Sequence, residues 1–289
     1  MINEQNYYDL NNLGLSQSKI KDYIVCPNMF YRKNISGELA KEDKKAWDIG
    51  SAIDNILTEA DSISNFVVLE PPKDIPEEKR KTYFMTKAGK AYKQELLDSG
   101  KKTITETDYE LIINVADAVD KTTAWKQIKK DFIFQEIVCI EKDLGEHFKC
   151  MVGKPDAYRI KDGVCDLLDV KTTASLPINL LTGKVNKRKY IYSALDFGYY
   201  IQMLYYRELL QAKYPEIKSF RYLHCAVEKK EPFNVNLFII PNYEIEKYEE
   251  ILFSTMENIK EDKEFKKRDV SLETAELLVF DDEKDQSDF

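Results

Sequence analysis

Two strand-like runs joined by Asp162-Gly163 constrain this chain more than any other stretch: residues 153–173 read G-K-P-D-A-Y-R-I-K-D-G-V-C-D-L-L-D-V-K-T-T. Asp-Gly between such runs favours a two-residue type I′ turn, which pairs Lys161 with Val164 and, counting outward, sets Asp156 opposite Asp169. Residues opposed in this way lie roughly 5 Å apart at Cβ. Side chains alternate along a strand, so Asp169 and Lys171 share one face and Val170 points to the other. Two like charges directly across a ladder destabilise it, and a partly buried pair must protonate one member or capture a cation. Mg²⁺ and Mn²⁺ suit such a pair, because they take oxygen ligands, keep several waters and lower the pKa of one of them to give a nucleophile at neutral pH. Lys171 is placed to orient that water or to hold a phosphate. Pro155 works against the register: it lacks an N–H and invites a bulge beside Asp156, and a one-residue slip would carry Asp156 to the other face.

The order G-K-P-D, spacer, D-V-K-T-T resembles the PD-(D/E)XK nuclease superfamily, above all its RecE and lambda-exonuclease branch, related to RecB-type nuclease domains. That pattern is short, and three further stretches follow the family's order. Residues 15–30, L-S-Q-S-K-I-K-D-Y-I-V-C-P-N-M-F, resemble the S-x-S-x-L-x-x-Y-x-x-C-P-x-x-F opening of RecB-like nucleases. Residues 50–59, G-S-A-I-D-N-I-L-T-E, resemble the G-T-A-x-H-x-x-L-x-E helix, and residues 202–206, Q-M-L-Y-Y, the closing Q-x-x-x-Y.

The resemblance implies Asp156 and Asp169 as metal ligands, Lys171 as the catalytic lysine, and Gln202 with Tyr206 as a helix face closing over the site. It also matches Glu136, in the strand-like F-I-F-Q-E-I-V-C-I, to an acidic position often found beside the metal. Where many members carry a histidine ligand this chain has Asp54, a harder oxygen donor that suits Mg²⁺ at least as well. The implied metal set is Asp54, Asp156, Asp169 and Val170, with Mg²⁺ as the ion and Mn²⁺ as a substitute. Taken alone, each residue also has an ordinary reading. Asp54 sits beside a helix face of Ile49, Ala52, Ile53, Ile56 and Leu57, where an acid is usually solvated; an alternating strand usually throws a residue such as Glu136 outward; and the i, i+4 spacing of Gln202 and Tyr206 is common in helices.

The chain of 289 residues, 43% hydrophobic, is long enough for one substantial core and needs no second domain. Its 43 basic and 51 acidic residues give a net charge of -8, so a surface for DNA phosphates must be local. Lys184, Lys187, Arg188 and Lys189 form one candidate run, and Lys19, Lys21, Arg32 and Lys33 another. The cysteines at 26, 139, 150, 165 and 225 are odd in number and scattered through apolar runs, which reads as reduced buried thiols in a cytoplasm. Some RecB-like relatives join the cysteine of C-P-x-x-F, here Cys26, to a distal cysteine cluster that binds an iron–sulfur centre; this chain has no such cluster, so none is expected. His147 and His224 are too few and too isolated for a zinc site. Neither a signal peptide nor an apolar run near the ~18 residues of a membrane span is visible.

Periodicity and caps place helices at 16–26, 46–60, 87–98, 105–121, 193–212 and 243–260, a loop at 70–81, three or four strands over 132–173, and further strands at 220–227 and 233–240. The expected architecture is α/β (α+β): a central mixed β-sheet flanked by helices, the restriction-endonuclease-like core of the superfamily. A helical part spans about residues 1–125 and a catalytic sheet core about 130–260 of one nuclease domain, 1–280; an acidic, disordered tail follows at 281–289. The expected activity is a metal-dependent DNA exonuclease, and the resemblance implies 5′-to-3′ action on double-stranded ends in phage-type recombination, alongside a single-strand annealing protein and as a homo-oligomeric ring. The alternatives are a weakened DNA-end-binding or regulatory module on the same fold, and a structure-specific endonuclease.

Overall fold

The computed structural model describes residues 14–39, 45–58, 66–80, 82–98 and 102–266; the tail at 281–289 lies outside them. Helix α1 (Gln17–Val25) gives way at Cys26 to α2 (Pro27–Asn34). Pro27 takes the first helical position, where a missing N–H forfeits no bond. Ser16 has the extended N-cap backbone of α1, yet its hydroxyl lies 3.1 Å from that of Ser18 and makes no cap bond. Helix α3 (Lys45–Thr58) carries Ala52, Ile53 and Leu57 into the core.

Next comes a small parallel pair, β1 (Phe66–Leu69) with β2 (Lys102–Thr105), which encloses the one-turn helix α4 (Glu77–Arg80) and α5 (Lys87–Asp98). The loop expected at 70–81 therefore contains one helical turn. Helix α6 (Glu106–Asp120) starts where its sequence calls for it: Thr105 accepts from the Asp108 amide at 3.1 Å, and its hydroxyl donates to the Asp108 carboxylate at 2.7 Å. Helix α7 (Thr123–Asp131), capped in the same manner by Thr122 on the Trp125 amide, was not legible beforehand.

The central sheet has the order β3 (Ile133–Phe134), β6 (Ala157–Lys161), β7 (Val164–Thr173), β8 (Ser219–Glu228), β9 (Val235–Ile240); β4 (Val138–Glu141) and β5 (Cys150–Gly153) form a separate antiparallel pair. Among the described strands of the central sheet, β7 and β8 alone run parallel. Their crossover contains α8 (Arg188–Asp196) and α9 (Tyr199–Lys213). One helix was expected over 193–212. Gly198, at φ 60°, breaks it, because the left-handed conformation ends α8 and lets α9 start in a new direction. The closing helix is likewise divided into α10 (Asn242–Glu246) and α11 (Glu249–Glu261).

Strand β7 is buried along most of its length, as a central strand covered on both faces must be. Leu167 faces the core shared with α1, α2, α9 and α11, where Phe30, Tyr205, Leu209 and Met256 pack; Leu168 and Val170 face the core shared with α3, α6 and α7, where Ile53, Ile112 and Trp125 pack. The mixed α/β sandwich that the element order implied is thus the fold that forms.

Candidate active site

The hairpin turn forms as its residues dictate: Asp162 (φ 52°) and Gly163 (φ 79°) take the two left-handed positions of the turn, and Lys161 pairs with Val164. The register continues to Ala157 opposite Leu168 and stops there. One more step would set Asp156 against Asp169, as the count from the turn requires, but the ladder ends because Pro155, the next hydrogen-bonding partner for Val170, has no N–H to give. Asp156 fills the gap with its side chain, Oδ2 accepting from the Val170 amide at 2.7 Å. The carbonyl of Val170 points to the same side as its amide, toward this open edge, and Pro155 cannot donate to it. Beyond Ala157, β7 runs on against β8 alone, and the site occupies that step in the sheet.

Asp169, 1% exposed, has one oxygen hydrogen-bonded and the other beside an ammonium. Gln202 of α9 donates to Oδ1 at 2.8 Å, and the Lys171 ammonium lies 2.5 Å from Oδ2. Burial lowers the Lys171 pKa, yet the Asp169 and Asp156 carboxylates outweigh it and raise the pKa overall. Asp156 is pushed well above the carboxylate range by burial first, then by the charges of Asp54 and Asp169. Asp54 reaches the site from α3, where Gln135 donates to it at 3.4 Å and to Thr58 at 2.9 Å. Lys21, on α1, extends over the same space, its ammonium 3.4 Å from Gln202 Oε1. Burial, then the neighbouring Lys171, lowers its pKa to about 8.

The N-terminal motif explains how α1 comes to be here. Leu15 bonds to Cys150 O and receives Val152 N, both at 2.9 Å, so the segment before α1 lies along β5. Tyr205 locks this junction, donating to Leu15 O at 2.5 Å and accepting from Val152 N at 3.0 Å. Gly153 allows α9 to approach: a Cβ there would lie 2.6 Å from Leu209 Cδ1 and 3.0 Å from Tyr206 Cε1. Tyr206 thus packs on the strand leading into the site, while Gln202, one turn earlier, reaches the carboxylate.

Two expectations change. The Gln135 amide donates to Asp156 O at 3.1 Å, but the carboxylate of the next residue, Glu136, takes the Lys213 ammonium at 2.7 Å and the Tyr214 and Tyr158 hydroxyls instead of joining Asp156 and Asp169. Lys213 stands roughly three turns, about 16 Å, along α9 from Gln202, so an ion pair at the far end of the helix draws Glu136 away. Of the N-terminal basic run, only Lys21 faces the site. The Lys19 ammonium is buried and donates to Gly14 O at 2.7 Å, Arg32 pairs with Glu38, and Lys33 with Asp22. Lys184, Lys187 and Arg188 are exposed, and the Lys189 side chain is not among the described ones.

His224, read beforehand as an isolated strand residue, belongs to the site. It is Asp169's partner on β8, fully buried, with Nε2 3.9 Å from Asp169 Oδ2 and Nδ1 3.0 Å from the Tyr190 hydroxyl. Burial lowers its pKa to about 4, so it is neutral at pH 7. Its one advance signal was a polar residue inside the apolar run 222–227, and only the parallel pairing of β7 with β8 brings it to Asp169.

The donor set fits a hard divalent cation. Burial and the charges of Asp54 and Asp169 penalise the ionised form of Asp156, a penalty that a bound cation relieves, and the Val170 carbonyl faces the same edge. Among the described residues no three His, Cys, Asp or Glu side chains form a ready-made cluster; an ion such as Mg²⁺ is commonly held by one or two carboxylates and retains water. Among the same residues, no helix is long and apolar enough to cross a membrane.

A five-stranded mixed sheet with P-D at the end of one strand and D-x-K on its neighbour defines a PD-(D/E)XK nuclease-like domain. Residues 16–278 match the model of a family described as a PDDEXK-like domain of unknown function, and the chain belongs to that family. A crystal structure from Eubacterium rectale, provisionally named an exonuclease, is similar over 90% of this chain and 86% of its own at 15% identity and a TM-score of 0.59, a likeness of fold. SSO0001 aligns over 75% of this chain and 88% of its own at 13% identity, with a TM-score of 0.27. No curated protein matches the chain.

Proposed function

We propose that this chain is a divalent-metal-dependent exodeoxyribonuclease that hydrolyses phosphodiester bonds at double-stranded DNA ends, in the 5′-to-3′ direction, feeding phage-type recombination beside a single-strand annealing protein. The observation that carries the reading is the pair Asp156 and Asp169 beside Lys171, with the charge of Asp54 felt at Asp156, at the step where β6 ends and β7 continues. Asp156, Asp169, Asp54 and the Val170 carbonyl would hold Mg²⁺, with Mn²⁺ as a substitute; when bound, the ion supplies a water of lowered pKa and neutralises phosphate charge. The chain's own groups do the rest. Lys171, kept protonated by its two aspartates, stabilises charge developing on the scissile phosphate and orients the attacking water. Gln202 fixes the Asp169 carboxylate by donating to Oδ1, and neutral His224 stands close to Oδ2. Lys21 offers a second cation above the same space, and Tyr206 seats α9 on Gly153. A homo-oligomeric ring around DNA belongs to the same proposal.

Digestion of a linear duplex labelled at either terminus, with and without Mg²⁺, tests activity, polarity and ion requirement together. Mg²⁺-dependent release of mononucleotides from the 5′-labelled end, with a closed circle left intact, is expected; cutting of the circle would assign an endonuclease. A second reading, a DNA-end-binding module with weakened turnover, draws on Asp54 standing where relatives carry histidine. Asp54→His is expected to retain or raise Mn²⁺-supported activity if position 54 is a ligand. Identical rates with Mn²⁺ and Mg²⁺ in the two proteins would show a carboxylate that takes no part.

A further inference from the structure

The surface beside the site reverses the usual order of a helix. Helix α8 buries Tyr190 and Ala194 and turns Ile191, Tyr192 and Leu195 outward, Tyr192 being 54% exposed. Apolar residues grouped on a solvent face mark a place where something binds. At the break after α8, Phe197 stands 61% exposed, and its ring stacks on Tyr199 with centroids 5.9 Å apart and planes inclined by 22°. Tyr199 lies against Lys171, whose ammonium is 5.0 Å from the ring centre, and against Lys21 at 5.9 Å. Two rings therefore lead from solvent to the lysine that grips Asp169. Gly198 holds this arrangement, because its left-handed backbone (φ 60°) turns the chain between the rings beside the Lys21 side chain.

We propose that Phe197, backed by Tyr199, is a stacking platform for the unpaired terminal bases of a DNA strand and holds the nucleotide beside the phosphate at Lys171. The inference rests on the nuclease reading and adds the element that selects frayed or single-stranded ends. Tyr199 already has cations against it, so Phe197 offers the open ring. Every base has a π-face, so an aromatic platform accepts any sequence, while neighbouring cations take the phosphates. The charges are of the right sign: Lys21 and Lys171 lie inward, Arg188 sits over the Tyr192 ring at 6.0 Å, and Lys187 is exposed. Asp196 is the single acid between 187 and 199.

Binding is measured without turnover, by fluorescence anisotropy of a short labelled oligothymidylate with the full chain in EDTA. Phe197→Ala is expected to weaken binding about tenfold, within the range of one base–aromatic stack, while Phe197→Trp matches or exceeds the wild type and a blunt duplex responds far less. Under turnover, Phe197→Ala should raise KM and leave kcat nearly unchanged. Equal affinity of Phe197→Ala and wild type overturns the platform, and so does a wild-type protein that does not bind the oligonucleotide. Unchanged DNA binding together with loss of a concentration-dependent dimer in sedimentation would assign the face to a second copy of the chain, and also overturns it. Wild-type protein that binds through Phe197 yet never cuts DNA would sink the nuclease reading alone.

Discussion

Lys171→Ala is expected to lower kcat on linear duplex DNA by about 10²–10³, the loss seen when one preorganised donor to a developing charge is removed. No other ammonium is within ion-pair distance of Asp169 among the described residues, so its removal takes away the cation proposed to meet the scissile phosphate and leaves Gln202 as the remaining partner of the carboxylate. The substitution also leaves Asp169 buried without its cation, and breaking a buried pair from one side destabilises by about 3–5 kcal/mol. The metal-free variant should therefore melt below the wild type, and saturating Mg²⁺ should recover most of the difference. Measured together, rates and melting temperatures separate chemistry from folding: a variant restored to wild-type stability by Mg²⁺ but still inactive has lost a catalytic group. Wild-type turnover by a folded Lys171→Ala protein would remove this residue from the mechanism.

The second large effect concerns Asp156. Burial and the charges of Asp54 and Asp169 raise its pKa, so the folded protein holds this proton more tightly than the unfolded chain, whose aspartates titrate near about 3.9. The stability from that proton is complete below the unfolded value and is lost as pH rises through the folded one. At neutral pH, where the unfolded chain has given up this proton, the acid is a net burden on the metal-free fold. Asp156→Asn removes the charge and keeps an oxygen that can accept from the Val170 amide. Without divalent ions, it should melt several degrees above the wild type at pH 7 to 8, each kcal/mol being worth about 2–4 °C in a chain of this size. At pH 4 the two proteins should converge. Added Mg²⁺ should stabilise the wild type, by about 2.7 kcal/mol at a hundredfold excess over Kd, and leave the variant unmoved and inactive. An Asp156→Asn protein that melts lower in EDTA, or responds equally to Mg²⁺, would contradict this account of the site.

The same residues show how far the sequence could be read. The Asp162-Gly163 turn and the two-residue period of strands fixed the pairing from Lys161 to Ala157 and put Asp169 and Lys171 on one face, because both rules act between neighbours. Pro155 raised the prospect of a slip, and the structure resolves it in a manner local rules did not specify: the register holds, and the Asp156 carboxylate takes the place of the missing ladder bond. The i, i+4 spacing brought Gln202 and Tyr206 to one side of a helix, but their different tasks depend on what that side meets, Asp169 in one case and Gly153 in the other. Glu136 has an alternating strand pattern around it that looks the same whether its partner is a metal or Lys213.

By itself, then, the sequence determined the hairpin, its turn, the shared face of Asp169 and Lys171, and the succession of elements that makes a mixed sheet between helices, since these follow from backbone geometry over a few residues. Tertiary structure alone decided that His224 lies beside Asp169, that Lys21 reaches over Gln202 while Lys19 is spent on Gly14, and that Gly198 divides a helix so that Phe197 stands open on the Tyr199 ring. These are contacts between segments far apart in the chain. Their register is set by how α1, α9 and β8 pack around one core, and packing depends on all the surfaces at once rather than on any local pattern.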